Sequence, residues 1–167
     1  MTERLFGTDG VRGLAGTELT EDLAYRLGRA AVLVMGRRNQ NRPTFVVGRD
    51  SRASGEWLED SLVEGIREAG GDAFIAGVEP TPAIAFLTTD LGASSGVVIS
   101  ASHNPPEYNG VKLFDSDGHK LTDAAEEQIE ELLDAPERGG GTIDRVDVAT
   151  DSYFEHIVER FGSDLSG

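Results

Sequence analysis

The sequence predicts a three-layer α/β/α sandwich built on a mixed, mostly parallel sheet. Three observations carry that expectation. Strand-like and helix-like stretches alternate in the order β-α-β-α-β from Pro43 to Ile99, the pattern of a layered α/β fold. Val97-Val98-Ile99 sets three β-branched apolar residues in a row, which reads as a short buried strand. The chain has 167 residues, 38% of them hydrophobic, enough for one domain with a real core. No apolar run approaches the length of a membrane span.

The elements follow in order. The opening stretch is glycine-rich, with Gly7, Gly10, Gly13 and Gly16 at every third position, but it is too short and too poor in proline for collagen. Arg12 is expected in this flexible loop. A guanidinium there can fork onto a phosphate; it can equally cap a turn or pair with a surface acid. Thr20 begins a helix, with Glu21 and Asp22 in its first turn and Arg37 and Arg38 in its last. Leu23, Leu27, Ala30, Ala31 and Val34 mark its apolar stripe. Pro43 to Val47 is the next strand. Gly48-Arg49-Asp50-Ser51-Arg52-Ala53-Ser54-Gly55 follows, a strand–Gly loop–helix that can turn backbone N–H groups toward an anion. It lacks the Lys-Ser/Thr pair of a P-loop, and Asp50 between two arginines reads as a structural ion pair. A helix carries Leu58, Leu62, Ile66 and Ala69, and Asp72 to Gly77 forms a strand. Thr81-Pro82 predicts a helix with a hydroxyl N-cap and proline at N1, running to about Asp90 and stopping at Gly92.

After the strand at Val97–Ile99 the chain turns polar: Ser100, Ala101, Ser102, His103, Asn104, Pro105, Pro106. The prolines fix φ and supply no N–H, so this loop should be stiff. It lies at the carboxyl end of a buried strand, where open α/β sheets place their ligands. Composition alone would make Ser102 an ordinary loop hydroxyl. A Ser-His-Asp hydrolase ranks low: no Gly-Xaa-Ser-Xaa-Gly elbow is present, and His103 should point away from Ser102, as neighbouring side chains do in an extended stretch. Tyr108-Asn109-Gly110 reads as a turn. The next strand puts Val111 and Leu113 on one face and Lys112 and Phe114 on the other, and returns Lys112 toward Ser102.

Asp115-Ser116-Asp117-Gly118 opens like a calcium loop but lacks the later ligands, so a hairpin turn is expected, with His119 exposed after it. Thr122-Asp123 starts a helix, with Glu126 in a capping box and Ile129, Leu132 and Leu133 buried. Pro136 to Gly141 reads as a linker, and a short strand is placed within Ile143–Val148. A last helix is predicted from Ser152, with Glu155 as a second capping box, to Gly162. Its face of Phe154, Ile157, Val158 and Phe161 needs a partner, and His156 is placed at the surface.

Thirty acids against fifteen bases give a formal charge of −15, and only Lys112 and Lys120 are lysines. Such a balance argues against nucleic acid as a partner. The acids are spread along the chain, which reads as solvation for a high-salt, halophilic setting. The expected result is a melting temperature that rises as KCl approaches molar levels; a fall would count against it. There are no cysteines, hence no disulfide framework or thiolate metal site, and no leader-like start is seen, so a cytoplasmic protein without membrane contacts is expected.

Ser100-Ala101-Ser102-His103-Asn104-Pro105 resembles the phosphoserine loop of the α-D-phosphohexomutases, the family of phosphoglucomutase, phosphomannomutase and phosphoglucosamine mutase. Three more stretches agree in the family's order: Phe6-Gly7-Thr8-Asp9-Gly10-Val11-Arg12-Gly13, Gly48-Arg49-Asp50-Ser51-Arg52 and Asn109-Gly110-Val111-Lys112. The resemblance implies that Ser102 carries a phosphoryl group, passes it to a hexose 1- or 6-phosphate, and takes the other phosphate back from the bisphosphate intermediate. It implies Mg²⁺ bound through the phosphate on Ser102. It places Arg12 and Lys112 beside the reacting sugar oxygen, Arg12 chiefly as a charge stabiliser and Lys112 as the better proton carrier. His103 and Asn104 would orient the loop or touch the phosphate, with Arg49, Asp50 and Arg52 supporting it from the neighbouring loop.

The resemblance divides the chain into a phosphoserine domain over 1–135, a Gly-rich connection over 136–149 and a junction helix over 150–167. The family's Asp-rich metal loop, sugar-selecting loop and C-terminal phosphate loop have no counterpart in the sequence. The expectation is therefore that these residues alone turn over hexose phosphate poorly, need the remaining domains as partners, and self-associate through the bare face of the last helix. Two other readings stand beside the mutase: a module that binds phosphate or a partner without catalysis, and a small serine hydrolase.

Overall fold

A computed structural model describes residues 4–38, 42–136, 139–147 and 149–162. Among them, strands β1 (Val11–Leu14), β2 (Thr44–Arg49), β3 (Asp72–Val78), β4 (Ser95–Ile99), β5 (Tyr108–Phe114) and β6 (Ile143–Arg145) form one sheet in the order β1-β5-β4-β2-β3-β6. The pairs β4–β2, β2–β3 and β3–β6 are parallel; β1–β5 and β5–β4 are antiparallel. The sheet is thus mixed and mostly parallel, as expected. Helices α1 (Glu21–Arg38), α2 (Gly55–Glu68) and α4 (Asp123–Glu131) cover one face, and α3 (Thr81–Asp90) and α5 (Ala149–Phe161) the other. No helix among the described residues is long and apolar enough to cross a membrane.

Alternation along the central strands explains the two layers. Phe45, Val47, Val97 and Ile99 point into the larger core beneath α1 and α2, while Val46 and Val98 point into the smaller one beneath α3. Each large side chain so buried contributes roughly 1.5–3 kcal/mol. The chain leaves β2 toward β3 on one side and leaves β4 toward β5 on the other. The loops at the carboxyl ends of β2 and β4 therefore diverge at a switch in strand order, and a crevice opens between them.

Several local expectations change. Arg12 lies on β1, not in a loop; the strand is held by β5, in the register Val11↔Val111 and Arg12↔Gly110. Tyr108-Asn109-Gly110 opens β5 rather than forming a turn. The turn comes earlier, where the Tyr108 N–H donates to the Pro105 carbonyl, and Asn109 is buried with its amide donating to Ser54 Oγ at 2.9 Å. Pro80, not Thr81, caps α3, without a side-chain cap bond. On α4 the cap is Thr122, which accepts from the Ala125 N–H. Glu126 is instead buried at 2% exposure, meeting Arg4 at 3.2 Å and Lys120 at 3.1 Å. With the Phe6 N–H on Glu130 Oε1 at 2.8 Å, this pair of contacts straps the N-terminal segment across α4.

Helix α5 starts at Ala149, three residues before Ser152, because Thr150 donates its hydroxyl to the buried Glu79 and Tyr153 and His156 pack on Phe86. His156 thus stacks on an aromatic ring rather than standing free. Phe154 and Phe161 remain exposed, at 66% and 71%. The hairpin turn at Asp115–Gly118 and the exposed His119 agree with expectation. Glu137, Arg138, Val148 and the side chains of Arg37 and Arg38 lie outside the described residues.

Candidate active site

Ser102 sits two residues past the Ser100 N–H that closes the β4–β5 ladder on the Gly110 carbonyl. It is exposed, and with φ 57° it is the one non-glycine residue with positive φ among those described. Such a backbone costs about 1–2 kcal/mol for an L-residue and requires support. Two side chains supply it. Ser100 Oγ accepts from the Ser102 N–H at 3.0 Å and donates to Asp50 Oδ2 at 2.7 Å. Arg52 donates to the carbonyls of Ser102, Asn104, Pro105 and Tyr108 at 2.7–3.0 Å, and its Nε to Asp50 Oδ2 at 3.0 Å. One guanidinium, 11% exposed, thereby staples the whole loop to the end of β2.

The bend also corrects an expectation about His103. The stretch is not extended at Ser102, so the two side chains approach: Ser102 Oγ and His103 Nδ1 are 3.4 Å apart. That is a long contact, at the limit of a hydrogen bond.

Arg12 and Lys112 lie on the same face of adjacent strands, with Gly110 directly opposite Arg12. A Cβ at Gly110 would stand 3.0 Å from Arg12 Cγ and 2.8 Å from the Ser100 carbonyl oxygen, so glycine leaves the arginine its lane. Arg12 Nη1 donates to Asn104 Oδ1 at 3.2 Å, which joins β1 to the Ser102 loop. Arg12 Nη2 and Lys112 Nζ both meet Asp9 Oδ2, at 2.6 and 2.5 Å. Burial works against the charge on Asp9, but the bonds and charges of Lys112 and Arg12 outweigh it and hold the carboxyl below its ordinary range. Lys112 therefore reaches the Ser102 loop through Asp9, Arg12 and Asn104.

Arg49 turns beneath the loop to Glu59, Nε to Oε2 at 3.3 Å. Burial pushes the Glu59 carboxyl up, with Arg49 opposing. Of the residues singled out from the sequence, contacts join Arg12 to Asn104, Ser102 to His103, and Lys112 to Arg12 through Asp9. Arg49 pairs through Nε with Glu59, while Asp50 and Arg52 bond to the Ser102 loop itself. A hollow of about 570 Å³ opens between Ser102, Asn104 and Pro106 on one side and Asp50 to Ala53 on the other. Asp9 and Ser100 were not singled out. The signals were there: both fall inside stretches already marked, Asp9 in a Gly-flanked turn and Ser100 two residues before Ser102.

Among the described residues no group of three or more His, Asp or Glu side chains is placed to hold a metal ion.

Known proteins match this arrangement. Residues 3–139 match the family model described as phosphoglucomutase/phosphomannomutase, alpha/beta/alpha domain I. Phosphoglucosamine mutase of Clostridium acetobutylicum is 46% identical over 172 aligned residues, covering 98% of this chain and 38% of the relative. That of Corynebacterium efficiens is 49% identical over 174, covering 98% and 39%. The crystal structure of a phosphoglucomutase/phosphomannomutase family protein from Burkholderia thailandensis superimposes with a TM-score of 0.79 at 34% identity, over 95% of this chain and 36% of that one. The chain spans about 38% of the length of the curated relatives it matches. A shared α/β/α layering and a matched model over four fifths of its length make this chain a member of the phosphoglucomutase/phosphomannomutase family, carrying its α/β/α domain I.

Proposed function

We propose that these residues form the phosphoserine-bearing part of a hexose-phosphate mutase, with Ser102 as the phosphoryl carrier. The observation that carries this reading is the exposed, left-handed Ser102, braced from behind by Arg52, Asp50 and Ser100 and linked in front to Arg12 through Asn104. In the forward step a sugar hydroxyl attacks phosphorus. The bond between phosphorus and the Ser102 oxygen breaks, and the hydroxyl proton passes to a base. Arg12 offsets the charge that develops on the transferring oxygens; Lys112 takes the hydroxyl proton as the neutral amine, and the ammonium so formed, held by Asp9, is the source of the proton for the Ser102 oxygen released. The reverse step, on the other phosphate of the bisphosphate, reloads Ser102. Mg²⁺, held by that phosphate and by ligands outside the described residues, would supply further charge neutralisation.

On the sugar, the sequence resemblance admits phosphates of glucose, mannose and glucosamine, and the opening stretch Phe6 to Gly13 leans toward the phosphoglucosamine mutase branch. The names of the curated relatives support glucosamine phosphate. In this proposal residues 1–135 belong to the phosphoserine domain, 136–149 to the connection and 150–167 to the junction, where α5 is its described helix. The exposed Phe154 and Phe161 support that last assignment.

The test is intact-mass analysis after exposure to a hexose 1,6-bisphosphate. One phosphoryl group is expected on the wild-type chain and none on Ser102→Ala. An unmodified wild type, or an adduct that survives in Ser102→Ala, overturns the reading in favour of a binding module. Labelling of Ser102 by a fluorophosphonate would favour a hydrolase.

A further inference from the structure

Two cations on neighbouring strands repel, yet Arg12 and Lys112 converge on one oxygen atom of Asp9, at 2.6 and 2.5 Å. The Asp9 side chain is 45% exposed, whereas that of Lys112 is 14% exposed, so the lysine is enclosed and the carboxylate faces it from the open side. The backbone explains how Asp9 comes to stand there. The Gly7 N–H donates to the Gly10 carbonyl at 2.9 Å and closes a four-residue turn around Thr8 and Asp9. Gly10 has φ +83°, and a Cβ on it would fall 2.3 Å from the Val111 carbonyl oxygen. Only glycine lets the turn press onto β5 one residue before Lys112. The strap from Arg4 and Phe6 to Glu126 and Glu130 fixes the segment just upstream.

We propose that Asp9 is the positioning carboxylate of this site, clamping Lys112 and Arg12 to one point in front of the Ser102 loop. The purpose of the clamp rests on the phosphoserine reading; its geometry does not. A lysine stem has four rotatable carbons and a single point charge, so without a counter-ion it leaves the arginine and wanders. With Asp9 in place, an oxygen of an incoming phosphoryl group meets two donors already converged. The half-exposed carboxylate has open space beside it, a hollow of about 350 Å³ lined by Arg4, Gly7, Thr8, Gly10 and Arg12.

The chain's two lysines make a direct test. The intact chain is acetylated with an N-hydroxysuccinimide ester, and the rates at Lys112 and Lys120 are read by peptide mass spectrometry. In Asp9→Asn the rate at Lys112 should rise about fivefold as its ion pair is lost. Lys120, paired with the buried Glu126 at 3.1 Å, should not change and so reports an intact fold. Asp9→Glu, whose carboxylate can reach the same cations across the hollow, should restore protection of Lys112. An unchanged Lys112 rate in Asp9→Asn overturns the proposal. So does a parallel rise at Lys120, which would make Asp9 a residue of the fold, and so does failure of Asp9→Glu to protect. If Ser102 takes no phosphate but the lysine contrast holds, the mutase reading has failed and the clamp stands.

Discussion

Arg52→Ala is expected to release residues 101–108 and strip Ser102 of its conformation. The guanidinium holds four loop carbonyls and Asp50, and alanine replaces none of those bonds. Water can reach the exposed carbonyls, so the loss is smaller than five separate hydrogen bonds would suggest. Hydrogen exchange at the Ser102, Asn104 and Tyr108 amides, which donate to Ser100 Oγ, the Ala101 carbonyl and the Pro105 carbonyl, should accelerate about a hundredfold, equivalent to about 2.7 kcal/mol of local stability. Phosphoryl loading of Ser102 should slow at least as much, since misplacing a reacting atom by an ångström can cost that factor. Arg52→Lys should not rescue either readout, because one ammonium cannot span four carbonyls and a carboxylate. Unchanged exchange at those amides would show that the prolines alone stiffen the loop.

Gly65→Ala should produce the largest loss of global stability. Helices α1 and α2 cross at closest approach through Gly28 and Gly65: a Cβ at Gly65 would lie 2.0 Å from the Tyr25 carbonyl oxygen, and one at Gly28 2.2 Å from that of Leu62. Backbone cannot yield as a side-chain tip can, so the helices must separate and the core between Leu27, Leu58, Leu62 and Ile66 opens. Alanine gains about 1 kcal/mol of helix propensity, but overpacking costs more, and the net loss should be about 2–3 kcal/mol. For a chain of this length that lowers the melting temperature by roughly 5–10 °C. A thermal scan showing Gly65→Ala at or above wild type would mean that the crossing is looser than described.

Much of this was legible in the sequence because the apolar periodicity is strong. Phe45-Val46-Val47 and Val97-Val98-Ile99 are buried on both faces and read as interior strands without help. The stripe of α1 and the glycine stop of α3 were equally plain. What was missed depends on partners far away in the chain. Strand β1 is four residues long and follows a glycine-rich turn; it is a strand because β5 pairs with it across about a hundred positions. The start of α5 depends on Glu79, and the burial of Glu126 on Arg4 and Lys120. At the site, the serine and its companions were marked by their resemblance to a family's motifs, since residue type alone left Ser102 an ordinary loop hydroxyl; the positive φ at Ser102 was not legible. That angle defeats the rule that neighbouring side chains diverge, and it brought His103 within 3.4 Å. Arg52 was placed in a supporting loop by its motif; the four carbonyls it holds could not be read from the sequence.

The left-handed backbone at Ser102 also bears on which alcohol can stand there. Threonine offers the same hydroxyl, but its extra methyl group crowds the main chain at positive φ, where β-branched residues are rarely found. The position therefore chooses between two chemically equivalent acceptors by shape. An exchange that any similarity table would score as harmless is, at this single point of the chain, a steric conflict.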